Sequence, residues 1–546
     1  MSARGIEADE VNAYLDPKLS IYLPDPAHLL DMDKMVARLL EAVRNKQKVA
    51  VFGDYDVDGA TSSALLTRYF RAIGKDIRVY IPDRLKEGYG PSIPALDLLR
   101  SEGAEVVITV DCGIASHEPI SHAKQNGLDV LVVDHHVAEA GLPDAAAIVN
   151  PNRLDETSQY GQLAAVGVTF LVIVALNRGL REAGYFNDAG IEEPDLMQWL
   201  DLVALGTVAD VVPLMGVNRA LVVQGLKVMS RRLNEGIKAL SDVANLDEAP
   251  AAYHLGFIFG PRVNAGGRVG EAHLGSRLLS TTDPGEAADL AQRLDAYNKE
   301  RREIEERIQE EAMEQAESQG NRSVVMVSGA DWHPGVVGIV ASRLKDRYNA
   351  PACVVAVNDG KATGSGRSIA GVDLGSTVIA ARQKGLLQAG GGHAMAAGFT
   401  LETVKLDAFH DFLDKRIGAV IQEQKIVPTA TVDSVMTIEG SSLELINTVQ
   451  RLGPFGSGNA EPRFAYSGLR VAKADVVGKD HVRCFFTSFG GQRLQAISFM
   501  SAETELGRRL LNHGGQPVHV LGRLRENVWQ GRSSVQLQID DAAAAE

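Results

Sequence analysis

Val49-Ala-Val-Phe-Gly-Asp54-Tyr-Asp56-Val-Asp58-Gly59 is the stretch from which the rest of the chain can be read. Its first four residues are all apolar, too few for a helix and apolar on both faces, which predicts a buried strand of a parallel sheet. Three carboxylates follow at alternate positions, and a helix is predicted from Thr61 to Phe70. If the backbone stays extended there, Asp54, Asp56 and Asp58 share one face, because strand side chains have period two. Carboxylates so placed repel one another unless a cation sits among them. A calcium loop uses the same spacing, but Leu65 stands where its bidentate glutamate is required, and a strand precedes the loop where a helix should be.

Outward from this stretch the pattern repeats. Val79-Tyr-Ile81, Val106 to Val110, Val130 to Val133 and Ile148-Val149 alternate with helix-like segments, the signature of a doubly wound parallel sheet. Two of these runs also end on chemistry, Val110-Asp111-Cys-Gly113 and Val133-Asp134-His135-His136. Strand ends in such a sheet lie along one edge, where open α/β sheets bind ligands. A helical region continues to about Lys238, and its helix from Trp199 to Val208 runs into Ala209-Asp210-Val-Val-Pro213, one more carboxylate. Five or so carboxylates with one or two imidazoles form a hard, oxygen-rich set, suited to two Mn²⁺ or Mg²⁺ ions rather than zinc or iron. Two such ions, roughly 3.5–4 Å apart, suit phosphoester hydrolysis.

Asp283-Pro284 opens a long charged helix reaching about Gln319, with Leu290, Leu294, Tyr297, Ile304 and Ile308 on one stripe. At 1.5 Å per residue it is a rod of roughly 50 Å, long enough to join two globular domains. Beyond it, Ser323 to Val327, Cys353 to Val357 and glycine-rich runs near 364 and 390 predict a smaller α/β domain. From Pro428 short strands and turns predict a β-barrel, with Ala542 to Ala545 as a frayed tail. The expected domains are 1–47 (an extension), 48–282, 283–320 (the connecting helix), 321–427 and 428–546.

Composition narrows the function. The 546 residues are 45% hydrophobic with a net charge of −15, which excludes a disordered chain and a protein that coats nucleic acid by global charge. Basic residues must act locally, and between Arg451 and Val535 there are 12 Lys and Arg against 6 Asp and Glu. Phe455, Phe464, Tyr466, Phe485, Phe486 and Trp529 lie among them, the ingredients of a single-strand groove. Cys112, Cys353 and Cys484 are too scattered for a disulfide framework or zinc ribbon, and the acidic start Met1 to Glu10 has no export signal, so a reducing, cytoplasmic setting is expected. The longest apolar run, Leu163 to Leu176, falls short of the about 20 residues that span a bilayer and reads as a buried helix; no membrane partner is expected.

Taken in order, Asp54-Tyr-Asp-Val-Asp-Gly59, Val110-Asp-Cys-Gly113, Asp134-His-His136 and Val208-Ala-Asp-Val-Val-Pro213 resemble the four motifs of the DHH phosphoesterase superfamily. Gly390-Gly-Gly-His-Ala-Met-Ala-Ala-Gly398 resembles the signature of its companion DHHA1 domain. Pro261-Arg-Val-Asn-Ala-Gly-Gly-Arg268 and Gly364-Ser-Gly-Arg-Ser368 narrow the resemblance to the RecJ single-strand-specific DNA exonucleases, over nearly the whole chain. It implies an α/β multidomain protein: a doubly wound DHH domain, a connecting helix, a smaller α/β DHHA1 domain and a C-terminal OB-type barrel. It also implies 5′→3′ hydrolysis of single-stranded DNA to 5′-mononucleotides with two Mn²⁺ or Mg²⁺ ions, in DNA repair and recombination, with single-strand-binding protein and a helicase as partners.

Carried over by motif, Asp56, Asp58, Asp111, His135 and Asp210 are the implied metal ligands, with Asp111 bridging. Asp54 and Asp134 hold the ligands in place, and His136 faces the scissile phosphate. Arg84 and Tyr89 in Asp83-Arg-Leu-Lys-Glu-Gly-Tyr89, with Arg268, Ser365 and Arg367, hold the DNA and its 5′ end, and His393 lines the cleft. Two other readings compete. A phosphodiesterase of short RNA or cyclic dinucleotides leaves the basic barrel without a use, and a non-catalytic replication scaffold leaves the complete ligand set without one.

Overall fold

The computed structural model describes residues 4–84, 86–320, 322–426, 429–488 and 490–545, so the borders expected at 321 and at 427/428, and both chain ends, lie outside the described residues. The first sheet has strands β1 (Val49–Gly53), β2 (Arg78–Tyr80), β3 (Val106–Val110), β4 (Asp129–Val133) and β5 (Ala147–Val149) in the order 2-1-3-4-5, all parallel. Alternate side chains feed two cores, Val49, Val51, Ile108 and Leu131 on one face and Ala50, Phe52, Val107 and Val130 on the other. Both faces are therefore covered, as the unbroken apolar runs require.

The acidic segment after β1 does not stay extended. The strand stops at Gly53, and Asp56 becomes the N-cap of helix α1 (Val57–Ala72), accepting from Asp58 N at 2.9 Å and Gly59 N at 3.2 Å. A helix start has unpaired N–H groups, and the Asp56 carboxylate satisfies two of them, which outweighs a further strand residue with no partner. Gly59 permits the turn, since a Cβ there would lie 2.4 Å from the Asp54 carbonyl oxygen.

The apolar run from Leu163 lies in α2 (Ala165–Glu182), mostly buried, and among the described residues no helix is long and apolar enough to cross a membrane. After α3 (Leu200–Ala209) and α4 (Gly260–Val269) comes the rod α5 (Pro284–Ser318), N-capped by Asp283 through Glu286 N. Its first half, with Leu290 and Leu294, packs into the core of the first sheet. Its last turns, with Ile308 and Ala312, pack against Trp332 and Val337 of the next domain. One helix thus sets the spacing of the two α/β bodies.

The second sheet, β6 (Val325–Ala330), β7 (Ala352–Asn358), β8 (Lys361–Arg367), β9 (Ala389–His393) and β10 (Ala396–Glu402), has the order 6-7-8-10-9, and only the β6–β7 pair is parallel. Helix α6 (Val337–Tyr348) packs on it. The C-terminal body has β11 (Ser434–Met436), β12 (Phe464–Val477), β13 (His481–Thr487), β14 (Arg493–Ser498), β15 (Pro517–Trp529) and β16 (Arg532–Ala544), and β12 pairs with both β13 and β15 to close the barrel. The terminal alanines are not frayed, because Ala543 and Ala544 pair with His519 and Val518 across β15, a backbone ladder that needs no large side chains. Cys112, Cys353 and Cys484 are all free and buried.

Candidate active site

The parallel register brings the ends of β1, β3 and β4 to one edge. Asp54 hydrogen-bonds through its backbone N to Val110 O, and Asp111 N to Val133 O, so the acidic loops continue the ladder side by side. Asp111 has φ 60° and Val211, next to Asp210, has φ 62°, the left-handed region that costs side-chain-bearing residues about 1–3 kcal/mol and clusters at functional sites.

The sheet edge converges on a small volume. His135 Nε2 lies 3.3 Å from Asp111 Oδ1, 3.6 Å from Asp210 Oδ2 and 3.9 Å from Asp58 Oδ2. Three ligand groups each lie within 4.8 Å of one another: Asp54, Asp56 and Asp111; Asp58, His135 and Asp210; and Asp111, His135 and His136. Burial, then repulsion from Asp56, raises the Asp58 carboxyl to about 7, and burial with the charges of Asp58 and Asp56 raises Asp210 to about 9. Burial and then the charge of His136 hold His135 down to about 4, so its imidazole is neutral, the form that binds metal.

Asp54 Oδ1, Asp111 Oδ1, His135 Nε2 and Asp210 Oδ2 are buried without a hydrogen-bond partner. Such atoms cost about 1–3 kcal/mol each unless something pairs with them. Three carboxylate oxygens and an imidazole nitrogen pointing together are a fitting donor set for hard divalent cations. Asp58 differs, since its two oxygens already accept from Ala165 N at 2.6 Å and Val166 N at 2.8 Å at the positive end of α2.

Asp134 organises the histidines. Its Oδ1 accepts from His135 N at 2.7 Å, His136 N at 3.1 Å and the His136 ring Nδ1 at 2.8 Å, and its Oδ2 accepts from Ile114 N at 3.1 Å. Burial pushes its pKa up, but the His136 bonds outweigh this and hold the carboxyl below its ordinary value. His136 responds oppositely: burial works against its charge, and Asp134 more than offsets that and raises it. Tyr89 is half-exposed, and its hydroxyl donates to Asp111 O at 2.9 Å, with its ring edge-on to His136 at 5.8 Å.

Facing these acids is a basic wall from both α/β bodies. Arg84 covers the Tyr55 ring with its guanidinium 4.9 Å from the centroid, and Arg268 donates to Gly335 O of the second body at 2.9 Å. Burial and then the charge of Arg84 press Arg268 down to about 10 and lower Arg367 also, so the three arginines share one field. Arg367 donates to Ser365 Oγ at 3.0 Å and Gly366 O at 2.9 Å, beside the first turn of α6, where a Cβ on Gly338 would touch both Ser365 and Arg367. Arginines at a helix N-terminus form a site for an anion.

A cavity of about 230 Å³ lies between acid and base, lined by Asp54, Tyr55, Asp56, Arg84, Tyr89, Asp111, His136, Asp210, Asn264 and Arg268. Tyr55 and Asn264 were not among the residues expected at the site. Their signal was present, Tyr55 inside the acidic motif and Asn264 one helical turn before Arg268, and a Cβ on Gly267 would lie 2.9 Å from the Tyr55 carbonyl, so the two segments meet. His393 stands exposed at the end of edge strand β9, not among the cavity-lining residues. In the barrel Phe464, Tyr466 and Phe486 are core rather than groove, because period two turns them inward with Val482 and Cys484. Phe485 lies under Arg483, and Trp529 is exposed.

A parallel sheet with clustered aspartates and a histidine pair at its strand ends, faced by an arginine wall on a second α/β body, defines a DHH-type phosphoesterase. Residues 48–207 match the DHH family N-terminal domain, 321–419 the DHHA1 domain and 432–541 the RecJ OB domain. The chain is 38% identical to the single-stranded-DNA-specific exonuclease RecJ of Salmonella typhimurium over 525 residues, 94% of this chain and 90% of that protein. It is 37% identical to RecJ of Escherichia coli with the same coverage. The crystal structure of RecJ from Thermus thermophilus in complex with Mn²⁺ matches all of this chain and 75% of that one, with a TM-score of 0.81 and 29% identity. The chain belongs to the RecJ family.

Proposed function

We propose that this protein is a divalent-metal-dependent 5′→3′ exonuclease that hydrolyses single-stranded DNA to 5′-mononucleotides in repair and recombination. The observation that carries the reading is the set of four unpaired buried ligand atoms, on Asp54, Asp111, His135 and Asp210, directly opposite the arginine wall. The relatives in Salmonella typhimurium and Escherichia coli are named single-stranded-DNA-specific exonucleases, and RecJ of Thermus thermophilus has been crystallised with Mn²⁺ and with Mg²⁺.

Asp54, which the resemblance gave as holding the ligands in place, stands with Asp56 and Asp111 and would hold one cation with them, and Asp58, His135 and Asp210 would hold the other, with Asp111 also 3.3 Å from His135. When bound, such a pair supplies acidification of the attacking water and neutralisation of charge building on the phosphoryl group. The chain's own groups do the rest. Arg84, Arg268, Ser365 and Arg367 bind the 5′-phosphate, Tyr89 guides the strand, and His136, backed by Asp134, holds a proton toward the scissile phosphate. Water oxygen joins phosphorus, the P–O3′ bond breaks, and the first nucleotide leaves with its own 5′-phosphate. The remaining strand then carries a new 5′-phosphate, which refits the same pocket.

The bodies joined by α5 are tied across the cleft by Arg268 and Gly335, which favours one strand over a duplex. Single-strand-binding protein and a helicase are the partners this reading calls for, and buried free thiols suit the cytoplasm. Digestion of 5′-labelled single and double strands with Mn²⁺, Mg²⁺ or chelator tests the proposal, with Asp111→Ala as control. Metal-dependent loss of the single strand, cut roughly a thousandfold or more by the substitution with DNA binding retained, is expected. Equal attack on duplex, activity surviving chelation, or a full rate in Asp111→Ala would overturn it.

A further inference from the structure

The helix that delivers Asn264 and Arg268 to the cavity begins well before it. One continuous helical segment runs from Ala252, through a π turn at Leu255–Phe259, into α4. Its buried side is Ala252, Leu255, Phe259, Val263 and Gly266. Opposite lie Tyr253, Phe257, Pro261, Asn264 and Arg268, spaced 4, 4, 3 and 4, one stripe of a helix. The cavity end of this stripe is polar. The outer end is two aromatic rings, 62% and 67% exposed, stacked with centroids 5.1 Å apart at 27°.

Large exposed aromatic side chains are costly to leave in water, and an isolated pair stacked on the surface invites a flat apolar partner. This pair is joined to the chemistry. A Cβ on Gly256 would sit 3.6 Å from Val208, and one on Gly260 3.5 Å from Ala209, so the helical segment that carries the two rings packs on the last turn of α3, next to Asp210. A π turn inserted in an α-helix frequently marks a functional site, and here it lies between the rings and the cavity residues.

We infer that Phe257 and Tyr253 form a stacking platform for a base of the substrate strand on the 3′ side of the scissile phosphate. The inference rests on the proposed nuclease reading. The direction follows from the stripe, whose Arg268 end takes the 5′-phosphate, so the strand leaves past Asn264 toward Phe257. Seven residues at 1.5 Å separate Asn264 from Phe257 by about 10 Å along the helix. At about 3.4 Å per stacked nucleotide this is about three nucleotides. Bases stack on aromatic faces without sequence preference, which suits an enzyme that must accept any strand.

The test uses the full chain, 5′-phosphorylated oligothymidylates of two and twelve nucleotides, and twelve-mers with one abasic nucleotide placed at each of positions two to six. Phe257→Ala and Tyr253→Ala are expected to lower kcat/KM on the twelve-mer about tenfold and to leave the dinucleotide unchanged; Phe257→Trp keeps the wild-type rate. One abasic position should cost the wild type the same factor and cost Phe257→Ala nothing more. Equal losses on both lengths, no loss on the twelve-mer, or additive effects of abasic site and substitution would overturn the platform. If the wild type cuts neither length, the nuclease reading falls. Binding of the same oligomers by fluorescence anisotropy in chelator still decides the platform, through the presence or absence of the abasic-dependent loss.

Discussion

Removing the divalent cations and returning Mn²⁺ at different pH tests the acidic cluster at its weakest point. Without metal, burial and mutual repulsion lift Asp58 from its ordinary 3.8 to about 7 and Asp210 to about 9, and push Asp54 and Asp111 well upward. Groups raised in this way lend stability that is complete below 3.8 and lost progressively as pH climbs from there to the folded values, so through these two groups the stripped protein weakens most steeply up to about 7, less steeply from about 7 to about 9, and levels off above that. Cations enter only as those protons leave. Between these two values at least the Asp210 proton must go, so affinity should rise about tenfold per pH unit, about 1.4 kcal/mol. Below the Asp58 value a second proton makes the dependence steeper. Calorimetric titration of the stripped full chain with MnCl₂ at about pH 6.5, 7.5 and 8.5, in two buffers of different ionisation enthalpy, gives both affinity and proton count. Affinity flat across that range, or a proton count of zero, would refute the account.

Two more substitutions probe the frame around the site. Arg367→Ala removes a charged donor from the end-binding wall, and kcat/KM for 5′-phosphorylated oligomers should fall about tenfold to a hundredfold while 5′-hydroxyl oligomers are unaffected; equal losses on both ends would contradict the role. Asn459 is buried and donates to Leu452 O at 3.0 Å and Pro454 O at 2.8 Å while accepting from Tyr14 OH at 3.0 Å, so it ties the barrel's lead-in segment to the N-terminal extension. Asn459→Ala removes the donor to Pro454 O, while Leu452 O keeps Arg219 Nη1 at 2.9 Å, and should lower stability by about 1–3 kcal/mol, read as a lower denaturant midpoint; an unchanged midpoint would show the tie to be idle.

What was legible in the sequence follows from how local each cause is. β1, β3 and β4 could be read because a strand covered on both faces must be apolar throughout, and their ends had to share an edge because parallel strands in one sheet leave no other arrangement. The backbone of Asp54 to Asp58 could not. The helix start is set by Asp56 turning back to cap it, a choice the period-two spacing of the acids masks, and Asp58 is then held by the α2 amides of Ala165 and Val166, over a hundred residues away. The arginine wall was visible only through resemblance, since nothing near Arg84 says that Arg367 will stand beside it; α5 does that, by being long enough to carry the second body back over the sheet edge. Phe257 escaped for a third reason. In a helix an apolar residue at regular spacing reads as core, and only the burial of Leu255, Phe259 and Val263 on the opposite side shows that Phe257 and Tyr253 face water.

The same distinction resolves the net charge of −15, which at first sight opposes a nucleic-acid substrate. Field strength at a cleft is set by what lines it, not by the whole-chain sum. The carboxylates concentrated at the sheet edge exist in a form that repels DNA only while protons and cations are absent. With two divalent cations among them the edge gains four positive charges, and a phosphate then meets a compensated floor under a wall of three arginines. The acidity that counts against DNA binding in the composition is what admits the metal for hydrolysis, and chelation should therefore stop hydrolysis while the arginine wall still holds the strand.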